Sequence, residues 1–227
     1  MIMEYEKLIQ NFQNLPRAGS SISANVRRNS NKTVVIKKYR NSKNAEHEFK
    51  IHSHIYSLPD ASRYVVKPLY QRNSYFIQNY QPGILGTLDE FIRKIKYTKS
   101  MTYEKSLSIF NAILTQIKNI VKFLKKHNIG HNDLHLGNFI VYRTGNKIKV
   151  KVIDFGKSKF ITNKTKLSQL NIERLVRFGE YANSGWMINN KPITNAVVPK
   201  YQFNAMVQNA LSTKPIDRSP LKEIQAT

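Results

Sequence analysis

Three side chains in this sequence have the types and spacing to orient a hydroxyl and hold a metal ion. Asp133 and Asn138 lie five positions apart in His131-Asn132-Asp133-Leu134-His135-Leu136-Gly137-Asn138, and Asp154 follows in Ile153-Asp154-Phe155-Gly156. A tight loop between Asp133 and Asn138 aims both side chains into one cleft, and Asp154 adds a second carboxylate there. Transfer of a phosphoryl group needs a carboxylate to orient the attacking hydroxyl and oxygen ligands to hold Mg²⁺ on the phosphates. Mg²⁺ takes one or two carboxylates together with substrate oxygens and water. Asp133, Asn138 and Asp154 are that minimum set, so the stretch reads as a phosphoryl-transfer loop. A lone Asp more often closes a turn; the three residues in this order argue for a site.

The elements that must position these groups follow from periodicity. From Thr102 to His127, Phe110, Ile113, Leu114, Ile117, Val121 and Leu124 fall on one helical face. Asn128-Ile129-Gly130 ends this helix immediately before the loop, with Gly130 suited to the C-terminal cap. Strands over Phe139 to Tyr142 and Ile148 to Ile153 flank Gly145-Asn146 and lead into Asp154. Upstream, Leu8, Ile9, Phe12 and Leu15 predict a helix over residues 4 to 15, ended by Pro16 and Gly19. Thr33-Val34-Val35-Ile36-Lys37 is a β-branched strand on which Lys37 and Lys38 face opposite ways. A helix runs from about Lys43 to Ser57 with Phe49, Ile51, His52 and Ile55 on its apolar side, and Pro59 marks its end. His47, His52 and His54 do not converge with acidic groups and read as surface or core histidines. Tyr64 to Tyr70 and Ser74 to Tyr80 are further strands, and Leu88, Phe91 and Ile92 begin a helical region. Leu167 to Phe178 reads as a helix, Trp186 as a loop residue packed on the core, and the chain beyond Leu211 as a loose tail.

At 227 residues the chain can bury a core as one domain or as two small lobes sharing a cleft. With no cysteine there is no disulfide framework and no thiolate metal site, in keeping with a reducing compartment. The N-terminus lacks a basic region followed by an apolar run, and no segment has the apolar length of a membrane span, so an intracellular protein, cytoplasmic or nuclear, is expected. The formal net charge of +23 favours acidic partners, nucleic acid among them. Its basic residues are scattered, in Arg27-Arg28, Lys37-Lys38, Lys125-Lys126 and between Lys147 and Lys159, which suits a general field better than one groove. A lysine bias from an AT-rich genome is the alternative source of that charge.

His131 to Asn138 together with Asp154-Phe155-Gly156 resembles the catalytic loop and Asp-Phe-Gly of protein kinases, with Asn132 in place of the usual Arg. The resemblance covers roughly residues 17 to 180. It implies that Asp133 is the catalytic base and that Asn138 and Asp154 are Mg²⁺ ligands. Gly19-Ser20-Ser21-Ile22-Ser23-Ala24-Asn25-Val26 is similar in spacing to the glycine-rich phosphate loop, with Ser21 and Ala24 replacing the second and third glycines. Val34 to Lys37 resembles the strand whose lysine holds the α- and β-phosphates, which assigns that task to Lys37. Glu48 is then its partner on the following helix, with Glu46 as the fallback. Ile77 would border an adenine pocket, and the backbone from Gln78 to Tyr80 would contact the base. His135 stands where protein kinases usually carry Lys. His-x-Asp-Leu-His-x-Gly-Asn is also similar to the loop of aminoglycoside and choline kinases, so His135 either lends a pH-dependent charge to the phosphate or orders the loop.

The implied fold is α+β and two-lobed. A β-rich N-lobe spans residues 1–79, a shortened helical C-lobe 80–211, and a loose tail 212–227. Only 71 residues follow Gly156 (227 minus 156), without an Ala-Pro-Glu, as in the small atypical kinases of the Bud32 and RIO type or of large DNA viruses. The expected activity is transfer of the ATP γ-phosphoryl group, with Mg²⁺, to Ser or Thr on protein. Asn132 in place of Arg implies activity without phosphorylation of an activation loop, and minimal kinases often rely on an activating partner. Compactness, AT-rich codon usage and basicity suggest a viral source and packaging in a virion. The alternatives are a small-molecule phosphotransferase and a basic pseudokinase that binds without turnover.

Overall fold

The β-branched run Thr33-Val34-Val35-Ile36 builds the central strand of the first sheet in a computed structural model of the chain, which describes residues 2–20, 24–91, 103–161, 187–188 and 191–192. The expectations for Ser21, Ile92, the helix from Leu167 to Phe178, Trp186 and the tail lie outside the described residues. The first sheet holds β1 (Arg17–Ser20), β2 (Ala24–Arg28), β3 (Val34–Tyr39), β4 (Pro68–Arg72) and β5 (Tyr75–Asn79), ordered β1-β2-β3-β5-β4 with every pairing antiparallel. Lys37 lies opposite Phe76, and Val35 opposite Gln78.

Alternation along β3 gives the sheet two different faces. Val34 and Ile36 join Ile77 on one, where they meet Tyr5 of helix α1 (Ile2–Gln10) and Phe12 and Leu15 beyond it. The helix expected over residues 4 to 15 therefore stops at Gln10 and continues as a 3-10 turn over Phe12–Asn14. After Gln10 the backbone tightens: the Asn11 N–H still donates to the Lys7 carbonyl at 3.1 Å, but the Asn14 N–H donates to the Asn11 carbonyl at 3.0 Å, three residues back. Glu6 fastens α1 to β4, accepting from Tyr70 and pairing with Arg72.

Helix α2 (Ser42–Ser57) packs on β3, β4 and β5. Asn41 caps it, its side chain accepting from the Asn44 N–H at 2.9 Å, a contact worth about 1 kcal/mol. Ala45, Glu48, Ile51, His52 and Ile55 form its buried face. A carboxylate in that apolar stripe requires a partner, and β3 supplies one. The strand expected over Tyr64 to Tyr70 begins only at Pro68 and runs to Arg72. Ala61–Arg63 is a 3-10 turn, and Val65 makes only an isolated parallel bridge with Val152.

Further strands are β6 (Ile84–Thr87), β7 (Ile129–Gly130), β8 (Phe139–Thr144), β9 (Lys147–Val152), β10 (Lys159–Phe160), β11 (Met187–Ile188) and β12 (Lys191–Pro192). Residues 88–91 open helix α3, where Thr87 and Glu90 form a reciprocal cap: the Thr87 N–H donates to Glu90 Oε2 at 2.8 Å and the Glu90 N–H to Thr87 Oγ1 at 3.3 Å. Helix α4 (Tyr103–Lys126) buries Ile113, Ile117, Ile120, Val121, Phe123 and Leu124. Its end corrects the expectation for Gly130: Asn128, at φ 55°, takes the left-handed turn, and Gly130 lies in β7. Asn tolerates that conformation better than most residues. Gly130 is small for another reason, because a Cβ there would strike the Ile161 side chain.

The chain clusters into two compact units, Met1–Leu85 with Ile140–Lys159, and residues 86–139 with the chain from Phe160. Asp154 thereby belongs to the same unit as Lys37. Among the described residues no helix is long and apolar enough to cross a membrane.

Candidate functional site

Lys37 is 5% exposed, and its Nζ lies 2.7 Å from Glu48 Oε1 and 3.5 Å from Asp154 Oδ1. Phe76, its cross-strand neighbour, places its ring centroid 5.8 Å from the same Nζ. Glu48 is fully buried, whereas Glu46, the fallback partner, is exposed. Helical periodicity separates these two glutamates onto opposite faces, so only one can meet β3.

Glu48 Oε1 also accepts the backbone N–H of Phe155 at 3.2 Å. The Phe155 ring is fully buried, with its centroid 4.8 Å from that of His52 one turn along α2. His52 is a core histidine, its Nε2 2.7 Å from the Val66 carbonyl. Three separate stretches of chain are thus tied at one carboxylate. Asp154 itself takes φ 68°, a left-handed conformation that Asp visits more readily than most residues. Its side chain is 22% exposed, so it borders solvent where Lys37 and Glu48 do not.

Burial works against the charge on Lys37, but the Glu48 and Asp154 carboxylates outweigh it and hold the amine above its ordinary value. Burial, with the Asp154 charge beside it, pushes the Glu48 carboxyl upward, and Lys37 and the Phe155 N–H oppose that rise. The two effects pull in opposite senses on one pair. Geometry decides for the ionised form, because Glu48 Oε1 accepts from two donors at once.

In the second unit, Asp133, His135 and Asn138 share one tight loop. The Asn138 amide donates to the Asp133 backbone carbonyl at 2.9 Å, and the Asn138 N–H to the His135 carbonyl at 2.9 Å. Leu134 and Leu136 anchor the loop in the core, and Asn132 takes φ 60° before Asp133. The substitution of Asn for Arg at 132 was noticed in the sequence, but its backbone role was not; the tolerance of Asn for left-handed turns was the available signal.

His135 is 57% exposed and 3.9 Å from Asp133 Oδ2, a separation at which an exposed pair contributes little. Its Nδ1 accepts the Gly137 N–H at 3.1 Å, capping the short turn Leu136–Asn138. That bond favours the loop-ordering role, since protonating Nδ1 would remove the acceptor. His135→Asn is expected to keep the melting temperature, and His135→Ala to cost roughly 0.5–1 kcal/mol in chemical denaturation. Equal losses in both would sink the capping role.

The remaining predicted residues fall around β3. Gly19 pairs with Val26 across the β1–β2 hairpin, while Ala24 is buried with Tyr39, Ala45 and Phe76. Gln78 is buried on the Lys37 face of β5. The Asn79 N–H donates to the Lys67 carbonyl and the Tyr80 N–H to the Thr33 carbonyl, at 2.9 and 2.8 Å, so these amides are committed to the protein.

Within each unit there is an oxygen of the kind a hard divalent cation takes: the partly exposed Asp154 carboxylate in the first, and in the second the side-chain oxygen of Asn138, whose NH₂ is engaged by the Asp133 backbone carbonyl. Buried Lys37 is a cation suited to phosphate oxygens.

A family model described as protein kinase domain matches residues 18–195. The structure is similar to the crystal structure of a kinase domain with a TM-score of 0.51 at 17% identity, over 93% of this chain and 73% of that one. At that identity the likeness shows the fold, α+β with a β-sheet N-terminal lobe. No curated protein matches the chain.

Proposed function

Because the chain belongs to the protein kinase domain family, we propose that it transfers the γ-phosphoryl group of ATP, with Mg²⁺, to Ser or Thr hydroxyls of a protein. The observation that carries this is the linkage of Lys37, Glu48 and the Phe155 N–H, with Asp154 beside it. Lys37, held by Glu48, grips the α- and β-phosphates. Asp133 orients the acceptor hydroxyl and takes its proton as the oxygen bonds to the γ-phosphorus; the bond to the β-phosphate oxygen breaks, and ADP leaves. Asn138 and Asp154 would hold Mg²⁺, which when bound would supply positive charge against the phosphates. His135 orders the loop that carries Asp133. The stretch with Gly19, Ser21, Ala24 and Val26 covers the phosphates, and the stretch from Gln78 to Tyr80 meets the base through groups other than the Asn79 and Tyr80 N–H, which are bonded to Lys67 and Thr33.

In this reading the lobe boundary is placed near Asn79 and the second lobe over 80–211, whereas by compactness the first unit runs to Leu85 and includes Ile140–Lys159. Asn132 in place of Arg supports activity without activation-loop phosphorylation, with an activating partner as the other means of control. A net charge of +23 supports acidic partners, nucleic acid included, inside a cell or a virus particle. Recovery from particles or nucleic acid that does not change when the basic clusters are neutralised would count against that association.

The test is transfer from γ-labelled ATP to acidic proteins, basic proteins, the chain itself, and aminoglycoside and choline acceptors. Label on Ser or Thr of protein, stronger on acidic acceptors, is the expected result. Label confined to the small alcohols overturns the protein acceptor. Binding of Mg·ATP with no turnover on any of them would make the chain a binding module.

A further inference from the structure

Register places Arg28 on the face of the first sheet that carries Lys37. Val26 lies opposite Lys37 and Arg28 opposite Val35, and residues directly opposite one another in an antiparallel pair project to the same side. Val35 in turn lies opposite Gln78, so Arg28, Val35 and Gln78 form one row across β2, β3 and β5. The row of Val26, Lys37 and Phe76 lies two residues further along β3. Beyond that row, Ala24, Tyr39, Ala45 and Phe76 are buried together where α2 closes over the sheet, with Phe49 packed on them. Val26, Arg28 and Val35 stay half-buried. Arg28 also differs from the arginines near it. Arg27 faces the other side, where its guanidinium donates to the Leu15 carbonyl and lies 5.4 Å from the centroid of the Phe12 ring. Arg63 pairs with Asp60, and Arg72 with Glu6. The Arg28 guanidinium has no ion pair, hydrogen bond or ring contact among the described residues.

We propose that Arg28 is a further nucleotide-binding residue, one that lays its guanidinium on the ring face of the base. This rests on the kinase function proposed above, in which Lys37 grips the phosphates and the stretch beginning at Gln78 meets the base. Arg28 shares its row with Gln78, and a diagonal of about 7–8 Å separates it from Lys37 on the paired strand. The base therefore lies along Val35 and within reach of Arg28, while the phosphates lie toward Lys37. A guanidinium suits that place, being planar, weakly hydrated and able to stack on aromatic rings. The Asn79 and Tyr80 N–H groups are bonded to Lys67 and Thr33, so contact with the ring face supplies affinity that those amides do not. Stacking recognises a π-face and not a pattern of donors and acceptors, so Arg28 strengthens the binding of adenine and guanine nucleotides alike.

Arg28→Ala and Arg28→Gln test this, with Arg17→Ala as the control. Arg17 is exposed and lies opposite Arg27 on the other face, and its replacement removes the same charge. Because the Arg28 guanidinium has no partner among the described residues, both Arg28 variants should melt near wild type. Displacement of a fluorescent ATP analogue from the full chain, with Mg²⁺ present, compares ATP, GTP, adenosine and inorganic tripolyphosphate. Both Arg28 variants should bind ATP, GTP and adenosine more weakly by one common factor of about two- to thirtyfold, and tripolyphosphate as wild type does. Arg17→Ala should match wild type on all four. A loss shared by tripolyphosphate makes Arg28 a phosphate contact and overturns the proposal. An equal loss in Arg17→Ala overturns it too, by tracing the effect to overall charge. Unchanged affinities in both Arg28 variants, with ATP bound by the wild type, overturn it alone and leave the arginine stem as a cover for Val35. A wild type that binds none of the four ligands removes the kinase function, and the role of Arg28 falls with it.

Discussion

Asp133→Asn is expected to lower kcat for γ-phosphoryl transfer by roughly 10²–10⁴-fold, the usual contribution of a positioned general base. Stability should hardly change. The bond that closes the loop onto Asn138 is made by the Asp133 backbone carbonyl, which asparagine retains. A melting temperature within about 4 °C of wild type, corresponding to about 1 kcal/mol for a chain of this size, is therefore the companion result. KM for ATP should stay near wild type, because the carboxylate addresses the acceptor and not the nucleotide. Single-turnover labelling is the decisive measurement, since it separates the chemical step from product release. A variant that keeps its single-turnover rate within tenfold removes Asp133 from the reaction, whatever its acceptor.

Lys37→Met should act on stability as well as on nucleotide binding. It leaves Glu48 fully buried without its counter-ion, and breaking a buried pair from one side costs about 3–5 kcal/mol. Glu48→Gln breaks the same pair from the other side, yet Asp154 remains 3.5 Å from Lys37, so its cost should be smaller. The double variant Lys37→Met with Glu48→Leu should recover much of the loss, because no charge is then buried alone. Urea denaturation of wild type, Lys37→Met, Glu48→Gln, Glu48→Leu and the double variant measures this directly, and strictly additive losses for Lys37→Met and Glu48→Leu would refute the coupling.

The pH dependence has a definite sign. The raised value of Lys37 means that its stabilising contribution is complete below the ordinary lysine value and fades as pH climbs through the raised one. Without Lys37, burial still holds the Glu48 carboxyl up, so the variant's fold favours the protonated acid. Its deficit should therefore be small at about pH 5 and grow toward about pH 8. A deficit independent of pH over that window would mean that Glu48 finds another partner.

Much of the site could be read in the sequence, because its parts are local. Alternation along Thr33 to Lys37 put Lys37 and Lys38 on opposite faces, and the structure buries Lys37 while Lys38 lies over the Tyr75 ring. Apolar periodicity located α2 and α4 to within a residue or two. The five-residue spacing of Asp133 and Asn138 announced a loop that the Asn138 side chain closes. Where local signals competed, the reading went astray. The apolar spacing of Leu8 to Leu15 suited one helix, but the backbone tightens into a 3-10 turn after Gln10, and periodicity does not separate the two. Asn128, and not Gly130, took the left-handed turn after α4.

By itself, then, the sequence determined which elements carry the proposed site residues and which way the side chains of β3 and α4 face, since the periods of strand and helix are properties of neighbouring residues. Only the tertiary structure decided which charges meet. Glu48 and Glu46 are the same residue type two positions apart, and packing against β3 makes Glu48 the buried partner of Lys37. The sharing of Glu48 Oε1 with the Phe155 N–H joins residues 107 apart in the chain, and the approach of Tyr39, Glu48 and Asp154 around Gly156 likewise joins separate elements. Spacing does not encode such meetings, because they depend on how whole elements dock, and docking is set by the fit of buried surfaces distributed over the entire unit.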